Sequence, residues 1–315
     1  ASSCAGPPET IDSEPALAGS ELAPLKLSAS RGWDSSVFIS KFFISKFFAV
    51  SVKRAFLIYV WHTFFCLVYC WFVIYSGGDS LGYFNAAQSP SWSVGVGSQA
   101  VIFLTSIFVN VFGLSFFGVF LVFNIFGVVG LLAFDGSLKL AVQGKQKSIR
   151  ILASIVIFLP SISFWSSAIG KDALAFMATG LALWSALDLS RRAALMAFAV
   201  LVMFWVRPHI AGIMVLALVV STLFDSRVSL RIKSVLSAAS VLASIVLVPF
   251  ALRYAGLGDD ITIKSISEYV ERRQSYNMDG GGGVDISSMS LPFQMFTYLF
   301  RPVLFEARNL FSFAA

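Results

Sequence analysis

Between Arg54 and Asp135 the chain carries one charged side chain, Asp79, set in the run Gly77-Gly78-Asp79-Ser80-Leu81-Gly82-Tyr83. Flanking glycines let the backbone turn sharply and let another molecule approach closely. A carboxylate there can take a proton from an acceptor hydroxyl or help hold a divalent cation. Equally, it can be a helix-end turn residue in contact with water. Basic groups with matching chemistry follow. Lys171 precedes Asp172, which makes either a local ion pair at a helix start or a phosphate contact with its orienting acid. Arg207 precedes Pro208 and His209. Proline interrupts a helix, and a guanidinium grips phosphate oxygens in bidentate fashion; the plainer alternative is that Arg207 and His209 cap a hairpin in water. Arg272, Arg273 and Arg301 are further anion-binding candidates, whereas His62 reads as a hydrogen-bonded core residue. The glycines at 280–283 have no Gly-Lys-Ser/Thr after them, so they do not form a phosphate loop and read as a disordered stretch.

The elements that position these groups follow from composition. Of 315 residues, 57% are hydrophobic and 13% charged, and the mean hydropathy is +0.81. A soluble domain carries about 25% charge, so the surface of a soluble protein cannot be built from this chain. A cytosolic enzyme, a disulfide scaffold and a disordered regulator are excluded. The net charge of +6 raises the question of nucleic acid. No nucleic-acid motif accompanies it, and in a membrane protein basic excess marks cytoplasmic loops. Cys66 and Cys70 lie one helical turn apart and read as small packing residues, and no cysteine pattern suggests a metal site. The metal content stays open.

Long uncharged runs at 55–78, 80–134, 151–170, 173–187, 193–206, 208–224, 234–252 and 286–300 supply the spans. Lipid leaves only helices and closed barrels viable, and Ile-Leu-Ala-Ser-Ile-Val-Ile-Phe-Leu at 151–159 lacks the alternation of a barrel strand. The expected fold is all-α: a polytopic transmembrane helical bundle of seven to eight spans with a disordered N-terminal tail. Residues 1–36 are that tail by composition. Residues 37–54, with the tandem Ile-Ser-Lys-Phe-Phe, form a basic aromatic interfacial segment. The bundle then covers 55–252, an outer-face loop segment 253–290, and a re-entering helix is open for 291–315.

Placing the basic clusters on one side sets the topology. Lys and Arg through residue 290 then divide fifteen cytoplasmic against six outside, with the N-terminus cytoplasmic. Two spans within 80–134 would weaken that asymmetry. One full span near 115–134 is therefore expected, preceded by an outer-face interfacial or re-entrant helix near 94–113 that breaks around Gly113. Asp79, Lys171, Arg207 and the 253–290 segment then share one membrane face.

The run Gly78-Asp79-Ser80-Leu81-Gly82-Tyr83-Phe84-Asn85-Ala86-Ala87 and the stretch Phe-Leu-Pro-Ser-Ile-Ser-Phe-Trp-Ser-Ser-Ala-Ile-Gly-Lys-Asp at 158–172 resemble the GT-C glycosyltransferases. Phe300-Arg301-Pro302-Val303-Leu304-Phe305-Glu306-Ala307 is similar to segments of membrane proteins encoded with bacterial surface-polysaccharide genes. The resemblance covers 55–310. It implies a multi-pass enzyme of the bacterial inner (plasma) membrane that takes a polyprenyl-phosphate-linked sugar donor and a glycan or lipid acceptor at the non-cytoplasmic face. By position, Asp79 corresponds to the family's essential first-loop acid; many members have a pair of acids there and this chain has one. Two other classes compete. A transporter or flippase would show inverted repeats and ionisable groups at mid-membrane, and a non-catalytic assembly subunit would need only the bundle.

Overall fold

The computed structural model describes residues 47–89, 92–224 and 289–300, with isolated helical positions between 230 and 275. The tail at 1–36, the first ten residues of the 37–54 segment, the body of 234–290, and 301–315 lie outside the described residues. Within them every regular element is a helix. These are α1 (Val52–Ser76), α2 (Asp79–Gln88), α3 (Ser98–Ser106) running into a π turn (Ile107–Val111), α4 (Phe116–Ala141), α5 (Lys147–Ile157), α6 (Pro160–Trp165), α7 (Lys171–Ala186), α8 (Leu189–Val206), α9 (Pro208–Phe224) and α10 (Leu291–Phe300).

Four helices are long and apolar enough to cross a membrane: α1, α4, α5 taken together with α6, and α8. Helices α7 and α9, at 16 and 17 residues, are shorter. Large apolar side chains such as Phe56, Leu57, Phe64, Leu67 and Ile74 on α1 are exposed, while Ile58, His62, Cys66, Cys70 and Val73 of the same helix are buried. A helix apolar on both its buried and its exposed faces suits lipid.

Helix boundaries follow local chemistry. Ser115 caps α4, its hydroxyl accepting from the Gly118 amide at 3.3 Å. Pro160 and Pro208 each open a helix, where a missing N–H costs nothing. Arg207 before Pro208 leaves helical geometry at φ −143°, ψ 77°, so 193–224 is not one uninterrupted helix. Within 80–134 only α4 is span-length, and Gly113 at φ +65° breaks the chain before it. The helix expected near 94–113 starts at Ser98, and residues 79–88 form helix α2, an element the sequence had not marked.

The long helices alternate in direction, so contacts sort into two ends. At one end the Ser80 hydroxyl donates to the Ile169 carbonyl at 2.9 Å, and Arg207 meets Asp172. At the other, Arg54 of α1 grips the Asp135 carboxylate of α4 through Nε and Nη2 at 2.7–3.0 Å, and Lys139 adds a contact at 2.9 Å. Asp135 is only 1% exposed. Nearby, Arg192 lies 3.8 Å from the Trp184 ring centroid and donates to its carbonyl.

Helix α4 is the centre. A Cβ on Gly130 would lie 2.7 Å from the Met177 Cα, and one on Gly180 of α7 would lie 2.3 Å from the Gly130 carbonyl oxygen. The two backbones therefore touch, the close approach small residues permit in membranes. A Cβ on Gly127 would strike His62 and the Ser166 carbonyl, and one on Gly136 the Phe48 carbonyl.

Fully buried His62 joins three helix systems, as a hydrogen-bonded core residue should. Its Nδ1 faces Asn124 Oδ1 at 2.5 Å and its Nε2 faces Ser166 Oγ at 3.0 Å. Because Asn124 donates its amide to Thr63, its oxygen is the acceptor and His62 Nδ1 carries the proton. Ser166 has one hydroxyl proton and two acceptors within reach, His62 Nε2 and the Ile162 carbonyl.

Gly180→Val should lose stability by about 1–3 kcal/mol through overpacking, read from denaturant unfolding of the purified protein in detergent. Gly82→Ala, where a Cβ meets nothing within 4 Å, should instead leave stability unchanged or raise it by about 0.4–1 kcal/mol.

Candidate functional site

Helix α1 ends in two glycines with positive φ, Gly77 at 76° and Gly78 at 148°. They end α1, and Asp79 becomes the first residue of α2. A carboxylate at a helix start is favoured by the free N–H groups there. Asp79 is exposed, while its neighbour Ser80 is buried and pinned to Ile169, in the loop that leads into α7. That bond ties the start of α2 to the start of α7, which brings Asp79 into the neighbourhood of Lys171 and Asp172.

One turn after Asp79 lies Tyr83, 9% exposed. Ser98 lies beside its phenol and accepts from Lys171 Nζ at 3.1 Å. Burial pushes the Tyr83 phenol above its ordinary value, and the Asp79 and Asp172 carboxylates add to the rise. The Ser98 hydroxyl and the Arg207 guanidinium oppose it. Tyr83 thus senses both acids and Arg207 at once.

Arg207, in the break between α8 and α9, donates through Nη2 to the Asp172 carboxylate. The local Lys171–Asp172 pair is therefore not formed; each partner reaches across to another helix. The segment before α3 is held beside them: the Gly97 amide donates to the Trp205 carbonyl at 2.8 Å, and Trp205 Nε1 donates to the Gly95 carbonyl at 2.9 Å. His209 is exposed on the first turn of α9. Arg272, Arg273 and Arg301 lie outside the described residues. Trp71, Tyr75, Trp92 and Trp165, all exposed, belong to the same end, a distribution typical of a membrane–water boundary.

Asp79, Lys171, Asp172 and Arg207 are thus grouped around Tyr83 and Ser98. Sequence reasoning missed the last two. Tyr83 had a signal, standing four residues after Asp79 on the same helical face; Ser98 and Trp205 had none. Also missed was the pair of Arg54 and Asp135 at the far end. Chemically, the Asp79 end offers an exposed carboxylate, with Lys171 and Arg207 at the same end held by Ser98 and Asp172. Among the described residues no group of three His, Cys, Asp or Glu is placed to hold a metal ion.

The Asp172–Arg207 pair is 57% and 34% exposed, so water screens it. A double-mutant cycle with Asp172→Asn and Arg207→Gln should give a coupling of only about 0.2–1 kcal/mol in unfolding free energy; a larger value would make the pair a structural clamp. Comparison of the chain with protein-family models, with curated proteins and with solved structures returns no match.

Proposed function

We propose that the protein is an integral membrane glycosyltransferase or polysaccharide polymerase that uses a polyprenyl-phosphate-linked sugar at the non-cytoplasmic face. The observation that carries this reading is the exposed Asp79 carboxylate at the same end as Lys171 and Arg207, around one buried phenol. In this reading the bundle has seven to eight spans, made by α1, α4, α5 with α6, α7, α8, α9, the 234–252 run, and, for the eighth, the helix at 291–300. The membrane is the bacterial inner membrane, with the N-terminus cytoplasmic.

Charge supports the orientation. Between residues 47 and 224 the Asp135 end holds eight cations (Lys53, Arg54, Lys139, Lys145, Lys147, Arg150, Arg191 and Arg192) against Asp135 and Asp188. The Asp79 end holds Lys171 and Arg207 against Asp79 and Asp172. Basic excess marks the cytoplasmic side, which leaves Asp79 outside.

The chemistry is a displacement at the anomeric carbon of the donor sugar. The prenyl tail stays in lipid, and Lys171 and Arg207, joined by Arg272, Arg273 and Arg301, meet the phosphate. Asp79 takes the proton from a glycan or lipid acceptor hydroxyl as that oxygen bonds to the sugar. The bond from sugar to phosphate breaks, and polyprenyl phosphate leaves with its electron pair. Stabilising charge on that leaving group is the main catalytic contribution, and a divalent cation would supplement it. Asp172 shares Arg207 and so sets its orientation, while His209 is a second candidate base.

A transporter reading has one observation in its favour, the buried His62–Asn124–Ser166 chain within the spans, since ionisable groups there mark pathways.

Asp79→Asn should lower sugar transfer in membrane vesicles by about 10²-fold or more while insertion and folding survive; Arg207→Lys should mainly raise KM for the donor. Full transfer by Asp79→Asn would overturn the assignment of Asp79 as the base and, with it, of this site as the catalytic one. In a variant without native cysteines, Ser148→Cys should react with a membrane-impermeant maleimide only from the cytoplasmic side and His209→Cys only from outside. The opposite pattern would overturn the orientation.

A further inference from the structure

Among residues 47–224, the Asp135 end carries more positive charge than the carboxylates there neutralise. Two cations, Arg54 and Lys139, converge on the single Asp135 carboxylate, so the buried cluster keeps an excess positive charge. Arg54 uses Nε and Nη2 on Asp135, and Nη2 also reaches the Ser154 hydroxyl of α5 at 3.4 Å. Its Nη1 has no hydrogen bond among the described residues. The bond to Ser154 turns one face of α5 toward this cluster. Lys147 and Arg150 lie seven and four residues before Ser154, hence on that same face and closer to the membrane surface. Both are exposed, and neither makes an ion pair among the described residues.

Two further observations point to an anion. The first turn of α5 has no acidic residue and its N-cap Gln146 makes no side-chain bond, so its free N–H groups add to the positive field. The neighbouring surface is apolar: Ile151, Leu152 and Ile155 of α5 are exposed, and Phe158 lies beneath Arg54 at 5.5 Å. Cations at headgroup depth beside a lipid-facing apolar strip match one amphiphile, with phosphate on the cations and acyl chains on the strip.

We propose that the seam between α1, α4 and α5 at the Asp135 end is a binding site for an anionic glycerophospholipid. The phosphate bridges Arg54 and Lys139 on one side and Arg150 and Lys147 on the other. Lipid binding here is independent of the sugar-transfer reading, because it uses the opposite end of the bundle.

The test uses the full chain in nanodiscs of phosphatidylcholine, with and without phosphatidylglycerol at one part in five. Phosphatidylglycerol should raise the thermal midpoint of wild type by several degrees, and Lys147→Gln/Arg150→Gln should lose at least half of that rise. Lys145→Gln, from the loop before α5, should keep it. A rise equal in the double variant and in wild type would overturn the site, as would a larger loss in Lys145→Gln. A rise reproduced in full by glycerol 1-phosphate added to phosphatidylcholine nanodiscs would overturn the lipid assignment. Should the double variant fail to fold, native mass spectrometry of wild type decides. Retention of phosphatidylglycerol over phosphatidylcholine by at least fivefold supports the site, and equal retention overturns it.

Discussion

At Gly130 and Gly180 two helix backbones meet with no room for a methyl group between them. In lipid, apolar side chains gain little by leaving one hydrocarbon surface for another, so helices associate through close van der Waals packing and interior hydrogen bonds. Helix α4 uses glycine for the same purpose at three levels, with His62 and Ser166 against Gly127, α7 against Gly130, and Phe48 against Gly136. This contact buries α7 although it is only 16 residues long, and α8 then packs on α7. The group around Tyr83 sits where α1, α7 and α8 end, so its geometry is inherited from this packing.

Polar groups inside the bundle transmit that order. His62 binds α1 to α4 through Asn124 and to the residue after α6 through Ser166. Ser166 begins the short segment that carries Ile169, whose carbonyl holds Ser80 and thereby Asp79. A buried imidazole and an exposed carboxylate are joined by one stretch of chain and one hydroxyl. Every link satisfies a backbone or side-chain group for which hydrocarbon offers no partner.

Much of this was legible in the sequence. Charge-free runs marked helices, four of them long and apolar enough to cross a membrane, Pro160 and Pro208 marked breaks, and Gly113 marked the end of the segment before α4. The sharing of one end by Asp79, Lys171 and Arg207 followed from counting crossings. Partner choice was not legible. Lys171 and Asp172 are adjacent, and adjacency suggested a pair; but successive residues on a helix point about 100° apart, so each found a partner on a different helix. Asp79 looked like a turn residue because its glycine neighbours resemble turn formers, yet Gly77 and Gly78 complete the turn before it and leave it to open α2. Asp135 was hidden for the opposite reason. Its neighbours are apolar, and nothing local shows that α1 and α4 bring Arg54, eighty-one positions away, to its side.

Between residues 47 and 224, the imbalance of eight cations and two carboxylates at the Asp135 end, against two and two at the other, has an electrical meaning. Moving one elementary charge across a membrane potential of 100 mV takes about 2.3 kcal/mol of work. Turning the bundle end for end would carry the net excess across the field, roughly 14 kcal/mol for each 100 mV if the charges traverse all of it. Between residues 47 and 224 the bundle is therefore electrically polarised along its length, with the Asp135 end the positive pole. In an electric field across a membrane, that pole favours the negative side.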